Sequence, residues 1–412
     1  MTGFQLKGAK TIFKLVKKIS PSTYTIFGGV HPSMLPDQSI KEDFVDFLVI
    51  GEGESTIVEL INELKKEIKD FKKIKGIVWK YNKKIIFNEL RNHMNMDDLV
   101  FPLTDKNKKY FEYSAQKNEI FYFSSRGCPF SCRFCYNKFF NKGIWRPMKI
   151  EKLEKEIDEL ISKLDTKFDY MFLNDDWIGN NIKRLKEIGR IFSKYNIKWG
   201  TCIRCSDLNE EVVKILDSGG CRQLLLGVES GSERILNKVI GKKYAEGIDD
   251  IKNATKVLNQ SNIKATYGFI VNIPTETKKD LKKSIALADW IHKHDKNSRI
   301  SFYVYAPYPG TELYKDAVKN GFKEPQSFDE WSKISLSSEV NPFAENLYYI
   351  SGLKFRGGKG DSTSKNFKGI KRLKILPFEI IVHLRWKLRF FTYFNFEKKI
   401  IKKLIFNATK NN

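Results

Sequence analysis

Apolar positions along this chain switch between a helical and an alternating period, and each switch marks an element. Residues 5–19 place Leu6, Ala9, Ile12, Phe13, Leu15 and Val16 at helical spacing, and Ser20-Pro21 ends the helix. Tyr24–Phe27 and Phe47–Ile50 read as short strands. The second runs through Gly51-Glu52-Gly53-Glu54 into a helix to about Ile68. Helix, strand, loop, strand, helix is the order of part of a doubly wound, Rossmann-like parallel sheet. Residues 76–90 alternate around Asn82-Lys83 and predict a β-hairpin. Met94–Tyr113, with Pro102 and little periodicity, reads as a linker.

From Ile120 onward the two periods take turns. Strands are predicted at 120–124, 169–174, 197–202, 222–229, 264–272 and 299–305, with helices at 151–164, 181–195, 209–218, 247–260 and 277–293. Strict alternation of this kind belongs to parallel α/β architecture. After Gly321 the pattern fades. Phe355–Gly369 is a Lys-, Gly- and Ser-rich linker, and from Lys365 onward 13 Lys or Arg face only two acids, Glu379 and Glu397.

The chemistry is concentrated in Arg126-Gly127-Cys128-Pro129-Phe130-Ser131-Cys132-Arg133-Phe134-Cys135-Tyr136-Asn137. Three thiols in a C-x3-C-x2-C spacing on a Gly- and Pro-bearing loop can turn inward on one metal centre, while a closed zinc site would want a fourth protein ligand nearby. None follows: the next cysteine is Cys202. Three thiolates suit a [4Fe–4S] cluster with one open iron.

With Tyr136 directly after the third cysteine, the motif resembles the signature of the radical S-adenosylmethionine (SAM) superfamily. The resemblance implies a partial (β/α)6 TIM-like barrel over residues 118–315, with the cluster on Cys128, Cys132 and Cys135. It implies SAM bound at the open iron and cleaved by one electron to a 5′-deoxyadenosyl radical that takes hydrogen from an unreactive carbon. Barrel active sites form at the C-terminal ends of strands, and the family-like residues cluster there. Asp175 and Asp176 are expected to accept hydrogen bonds from the SAM ammonium, and Arg204 to meet its carboxylate. Leu-Gly-Val-Glu-Ser-Gly-Ser (226–232) resembles the family's Gly-x-Glu-Ser-Gly turn, with Glu229 on the SAM ribose or amino group. Tyr267–Thr277 resembles the segment whose backbone flanks adenine, carrying Gly268, Asn272 and Glu276. Asn272 stands where a second glycine is usual, and Asn tolerates left-handed backbone angles better than most residues. Cys202, Cys205 and Cys221 read as buried structural thiols.

TIFGGVHPS followed by DFLVIGEGE resembles the C-terminal half of the cobalamin-binding domain that precedes the barrel in one large subfamily, where Gly28 and Gly29 would line the channel for the cobalamin tail. The Asp-x-His-x-x-Gly motif of that domain is missing here, so a truncated or degenerate domain with weak cobalamin binding is expected. His31 reads as a turn or rim residue. The expected organisation is therefore residues 1–90, a linker over 91–117, the barrel over 118–315, a variable region over 316–364 and basic amphipathic helices over 365–412.

Composition narrows the remaining choices. Six cysteines, three of them in one motif, make no secreted disulfide framework, and cluster chemistry calls for a reducing, cytoplasmic setting. No segment reaches the roughly 18 apolar residues needed to span a bilayer. A net charge of +24 favours acidic partners, yet its lysines are spread over most helices, and no RNA-binding motif accompanies them. Tail residues 365–412, with Trp386 among their apolar positions, are expected to rest on an anionic membrane or to pack on the barrel. The expected function is a radical SAM enzyme of cobalamin type, methylating or rearranging a small-molecule or lipid substrate, reduced by a flavodoxin or ferredoxin. The alternatives are a cobalamin-independent radical SAM enzyme and a nucleic-acid-binding metal protein.

Overall fold

The computed structural model describes residues 3–82, 84–241, 246–295, 297–334, 347, 350–351, 354–355 and 380–389. The chain forms two interleaved compact units, one of residues 1–102, 126–149 and 307–339, the other of residues 103–125, 150–306 and 340–412.

In the first unit, α1 (Phe4–Ile19) precedes β1 (Ile26–Gly28), β2 (Phe47–Val49), α2 (Glu54–Leu64), β3 (Ile77–Tyr81) and β4 (Lys84–Phe87). These strands lie in the order β1-β2-β3-β4. β1 and β2 run parallel, as expected, whereas the hairpin strands extend the sheet antiparallel. Asn82, at φ 48°, makes the tight connection. Successive strand residues point to opposite faces, so each face has its own core. Leu48 and Val78 bury with Leu6, Ile40, Phe44, Phe328 and Trp331, while Phe47, Ile77 and Trp79 bury with Leu60 and Ile74. Two short helices, Val30–Met34 and Pro36–Lys41, were not anticipated, since five or six residues show too little periodicity to be read.

The second unit begins with α3 (Lys108–Gln116), inside what the sequence presents as linker. Only Ala115 of this helix is buried, which explains the missing apolar stripe. Then follow β5 (Ile120–Tyr122), α4 (Ile150–Lys163), β6 (Tyr170–Leu173), α5 (Ile182–Lys194), β7 (Lys198–Ile203), α6 (Glu210–Ser218), β8 (Cys221–Glu229), α7 (Ile248–Leu258), β9 (Lys264–Val271), α8 (Lys278–His294) and β10 (Arg299–Val304). The six strands are all parallel and lie side by side in chain order, with β5 and β10 at the two edges. An open sheet of this order is the partial (β/α)6 barrel. Its helix starts are capped as their sequences dictate: the Asn181, Asn209 and Thr277 side chains accept the N–H groups of Arg184, Val212 and Asp280.

One face of the sheet packs under the helices, and Trp199 of β7 stacks on Phe192 of α5 at 5.5 Å. The opposite face carries smaller or half-exposed residues, including Gly200, Cys202, Gly227, Glu229 and Gly268. Most of the tail, residues 365–379 and 390–412, lies outside the described residues. In helical residues 380–387, Trp386 does not face solvent: it is 3% exposed, and its Nε1–H donates to Asp289 Oδ1 at 2.7 Å. Its ring lies 4.9 Å from Phe355 and 6.1 Å from Phe302. Of the two expectations for the tail, Trp386 meets packing on the barrel and not insertion into a membrane, because this indole already has apolar neighbours and an acceptor.

Candidate active site

The three motif cysteines belong to the first unit. All are half-buried and none is in a disulfide. The loop starts at Gly127, with φ 84°, where a Cβ would sit 2.0 Å from the Ile144 carbonyl oxygen. Only glycine allows so close a backbone approach. Cys135 N–H donates to Cys132 O at 3.0 Å, and Asn137 N–H reaches Cys135 Sγ at 3.5 Å. Between the cysteines, Arg133 pairs with Glu312 at 3.2 Å and with Asp316 at 2.8 Å, while its carbonyl accepts Leu313 N–H at 2.9 Å. Tyr136 packs edge-on against Phe140 at 6.3 Å. Burial and then the neighbouring Cys135 push the Tyr308 phenol above its ordinary pKa.

Among the described residues no three His, Cys, Asp or Glu side chains are drawn together as metal ligands. Free thiols have no mutual attraction that would gather them; metal–thiolate bonds supply it. The donor set nonetheless fits an iron–sulfur cluster: three reduced thiols on one loop, with a backbone N–H directed at one sulfur.

The remaining barrel residues belong to the second unit. Asp175 is 1% exposed. It accepts from Ser124 N at 2.6 Å and from the Ser124 and Ser125 hydroxyls at 2.7 Å each. Burial raises its pKa against these hydrogen bonds. Both its oxygens are thus engaged in tying the end of β6 to the segment after β5, whereas Asp176 is exposed. Arg204 lies 3.3 Å from Glu246, and that carboxylate also accepts Cys205 N–H at 2.7 Å. Glu246 is 3% exposed.

Glu229 ends β8 at φ 67°, where the register to β9 slips between Gly227 and Glu229. What holds this strained turn is the start of α8. Gly231 N–H donates to Ser284 Oγ at 2.9 Å and Ser232 Oγ to Asp280 at 2.6 Å. A Cβ on Gly231 would lie 2.4 Å from Lys283 O. Burial works against ionisation of Asp280, but Arg234, Ser232 and Thr277 hold its carboxyl well below the usual range.

Gly268 lies beside Tyr303, whose ring is 3.5 Å from the place a Cβ would take. Asn272 adopts the left-handed backbone, at φ 62°, as its residue type tolerates. Its N–H donates to Glu276 Oε2 at 2.7 Å, and Thr275 is also left-handed at φ 67°. Glu276 Oε1 is buried without a partner, and burial pushes this carboxyl up to about 7.

In the first unit, Gly29 has φ 96° and open space beside it, while a Cβ on Gly28 would meet Val49 Cβ at 3.5 Å. His31 is buried rather than at a rim, 5.9–6.3 Å from the rings of Phe27, Phe328 and Trp331. Burial pushes the Cys202 and Cys221 thiols up to about 12, which keeps them neutral and structural. Sequence reading missed Glu246 and the serines Ser124 and Ser125 that hold Asp175. Their partners are 41 to 51 residues away along the chain, and only the strand order brings them together.

A parallel six-stranded open barrel, a three-thiol loop and a glycine-flanked glutamate turn define a radical SAM enzyme. The chain belongs to the radical SAM superfamily. The model of that superfamily matches residues 122–288. An uncharacterized methyltransferase of Pyrococcus horikoshii is 30% identical over 342 residues, covering 81% of this chain and 72% of the relative. Among solved structures, the cobalamin-dependent SAM radical enzyme OxsB, with aqua-cobalamin and SAM bound, is similar at a TM-score of 0.69 and 19% identity, covering 93% of this chain and 62% of that one. The radical SAM methyltransferase TsrM of Kitasatospora setae, with cobalamin and a [4Fe–4S] cluster bound, is similar at 0.63 and 14% identity, covering 75% of this chain and 62% of that one. The chain thus spans less than two thirds of the length of these two solved structures. The family's cofactors are a [4Fe–4S] cluster and SAM, and its enzymes draw on an external reductant. Among the described residues no helix is long and apolar enough to cross a membrane.

Proposed function

We propose that this enzyme methylates or rearranges an unreactive carbon, with Cys128, Cys132 and Cys135 as the cluster ligands. When bound, the cluster supplies the electron that cleaves SAM reductively. The observation that carries the reading is the loop itself, with three cysteines in no disulfide, no fourth ligand in the motif and Asn137 N–H on the Cys135 sulfur. Tyr136 flanks the loop. In the barrel, Asp176 takes the SAM ammonium, and buried Asp175 holds Ser124 and Ser125 in place. Arg204 meets the SAM carboxylate, oriented by Glu246. Glu229 takes the ribose hydroxyls or amino group, and the backbone from Gly268 to Asn272, braced by Glu276, flanks adenine. The test is anaerobic reconstitution, which is expected to give about four iron atoms per chain. Alanine at all three cysteines should remove them together with SAM cleavage. Iron content unchanged in that variant would sink the assignment.

We propose weak cobalamin binding on the side of Gly28 and Gly29, supported by the open space beside Gly29, by the cobalamin-dependent proteins the fold resembles and by the missing Asp-x-His-x-x-Gly motif. We read residues 1–90 as the C-terminal part of a cobalamin-binding-like domain, 118–315 as the barrel, and a flavodoxin- or ferredoxin-type protein as reductant in a cytoplasmic setting.

The segment 380–389 supports peripheral attachment to an anionic membrane and a membrane-delivered substrate. While Val382 and Trp386 are buried, Ile380, Ile381, Leu384 and Leu388 stay 40–73% exposed, beside Lys387 and Arg389. An apolar face flanked by basic residues suits a lipid interface. Truncating the tail would also strip Phe302 and Phe355 of a neighbour, so point variants are the cleaner test. Serine at the four exposed apolar positions should reduce co-sedimentation with phosphatidylserine-containing vesicles several-fold, and high salt should weaken it further. Equal sedimentation of variant and parent would dismiss the membrane.

A further inference from the structure

The cysteine loop is held at both ends by one carboxylate. Arg126 precedes Gly127-Cys128, and Arg146 lies beyond the last cysteine, on the far side of the Ile144 carbonyl that closes over Gly127. Both arginines turn to Glu52. Arg126 Nη1 is 3.2 Å from its Oε1, while Arg146 Nη2 donates to Oε1 at 2.6 Å and Nη1 to Oε2 at 3.0 Å. Met94 N–H adds a fourth contact, to Oε2 at 3.0 Å. The Glu52 side chain is 5% exposed and that of Arg146 14%. Arg146 is fixed further by Met94 O at 2.8 Å and Asn141 Oδ1 at 3.0 Å, and Arg126 pairs with Glu54 at 2.7 Å. Burial works against ionisation of Glu52, yet the Arg146 hydrogen bond and the other partners win, and its pKa falls below the ordinary value.

A buried carboxylate with this many charge-assisted partners is expensive to form and sets one geometry once formed. Its position matters more than its strength. Glu52 comes from the loop between β2 and α2, remote in sequence from the cysteines, and the excursion from Arg126 to Arg146 contains all three. Closing both ends of such an excursion on one group restricts where its middle can go. Two arginines against Glu52 and Glu54 also leave the base of the loop neutral.

We infer that Glu52 is the positioning residue of the iron–sulfur loop, holding Arg126 and Arg146 so that the cysteines are presented together and the charge at the loop base is balanced. This rests on the assignment of Cys128, Cys132 and Cys135 as cluster ligands. It adds a role for Gly51–Glu54, otherwise a turn in the first unit.

The test uses the reconstituted full chain and reads iron content, the electron paramagnetic resonance signal of the reduced cluster and its midpoint potential. Glu52→Gln leaves excess positive charge at the loop base, which favours the reduced, more negative cluster, so the potential should move upward. Arg146→Gln removes positive charge and should move it downward. The double variant Glu52→Gln/Arg146→Gln should return toward the parent value. A purely structural disturbance would not give opposite signs. Single variants with full iron and unchanged potential and signal, or with shifts of the same sign, would overturn the proposal. Should Glu52→Gln load less iron, Glu52→Asp decides: recovery of iron and potential supports the clamp, and no recovery overturns it. The parent chain's own iron and its loss in the three-cysteine variant report separately on the ligand assignment.

Discussion

Replacing Gly127 with alanine is expected to cost the enzyme its cluster while all three cysteines remain. Two effects add at this position. An alanine at φ 84° takes a left-handed conformation that disfavours any Cβ, at about 1–2 kcal/mol. The added methyl would also stand 2.0 Å from the Ile144 carbonyl oxygen, and the nearest atoms are backbone and not the end of a flexible side chain. Overpacking of this kind adds about 1–3 kcal/mol and is relieved only by moving the loop. The loop has little freedom to move, because Arg126 and Arg146 pin it to Glu52, and Arg133 pins it to Glu312 and Asp316. Gly143 is the control. It too is left-handed, at φ 67°, but nothing lies within 4 Å of its Cβ position. Alanine there should bring the conformational cost without the clash and keep most of the iron. The measurement is iron per chain and the visible absorption of the reconstituted cluster for both variants. Equal loading in Gly127→Ala and the parent would show that the Ile144 contact does not shape the loop.

What the sequence made legible follows from range. The helices of the barrel and its two longest strands were readable because each writes its own period over eight or more residues, as in Cys221–Glu229 and Lys278–His294. The cysteine loop was readable because its three ligands lie within one short segment. The left-handed Asn272 was readable from its place in a segment where glycine is usual together with its residue type. What distant residues decide was not legible. Asp175 and Asp176 look equivalent as a pair, yet Ser124 and Ser125 claim the first and leave the second exposed. Arg204 looks free to meet a ligand, but its setting includes Glu246, 42 residues on. Trp386 reads as an interfacial aromatic until Asp289, Phe302 and Phe355 are found around it. The interleaving of the units is of the same kind: residues 126–149 and 307–339 join the first unit through contacts that no local pattern announces.

His31 is expected to make the chain's stability fall as the medium is acidified from pH 6.5 to about 4. Its imidazole is 4% exposed and sits among Phe27, Phe328 and Trp331, with Nε2 buried and unpartnered. Burial lowers its pKa from 6.5 to about 4. The sign follows from linkage. The folded state keeps this group neutral, while the unfolded chain takes up a proton near pH 6.5, so the stability it contributes is complete above pH 6.5 and is lost as pH falls through the window. Each pH unit inside the window is worth about 1.4 kcal/mol, so the whole span removes about 3 kcal/mol. That is a large fraction of an ordinary domain's margin. Carboxylates also begin to titrate at the acid end, so the comparison must be between chains that differ only at this position. Urea unfolding of the parent and of His31→Leu at pH 7 and at pH 4 provides it. The leucine variant keeps an apolar side chain among the rings and has nothing to protonate, so its stability should fall less than the parent's by about 3 kcal/mol over the same interval. The physical site of the loss is the packing of helix Phe328–Lys333 on the turn after Gly29, since an imidazolium has no acceptor at buried Nε2. Parent and variant curves that fall in parallel between pH 7 and pH 4 would show that His31 is hydrated or charged in the folded state, and the aromatic enclosure would then not be what sets its ionisation.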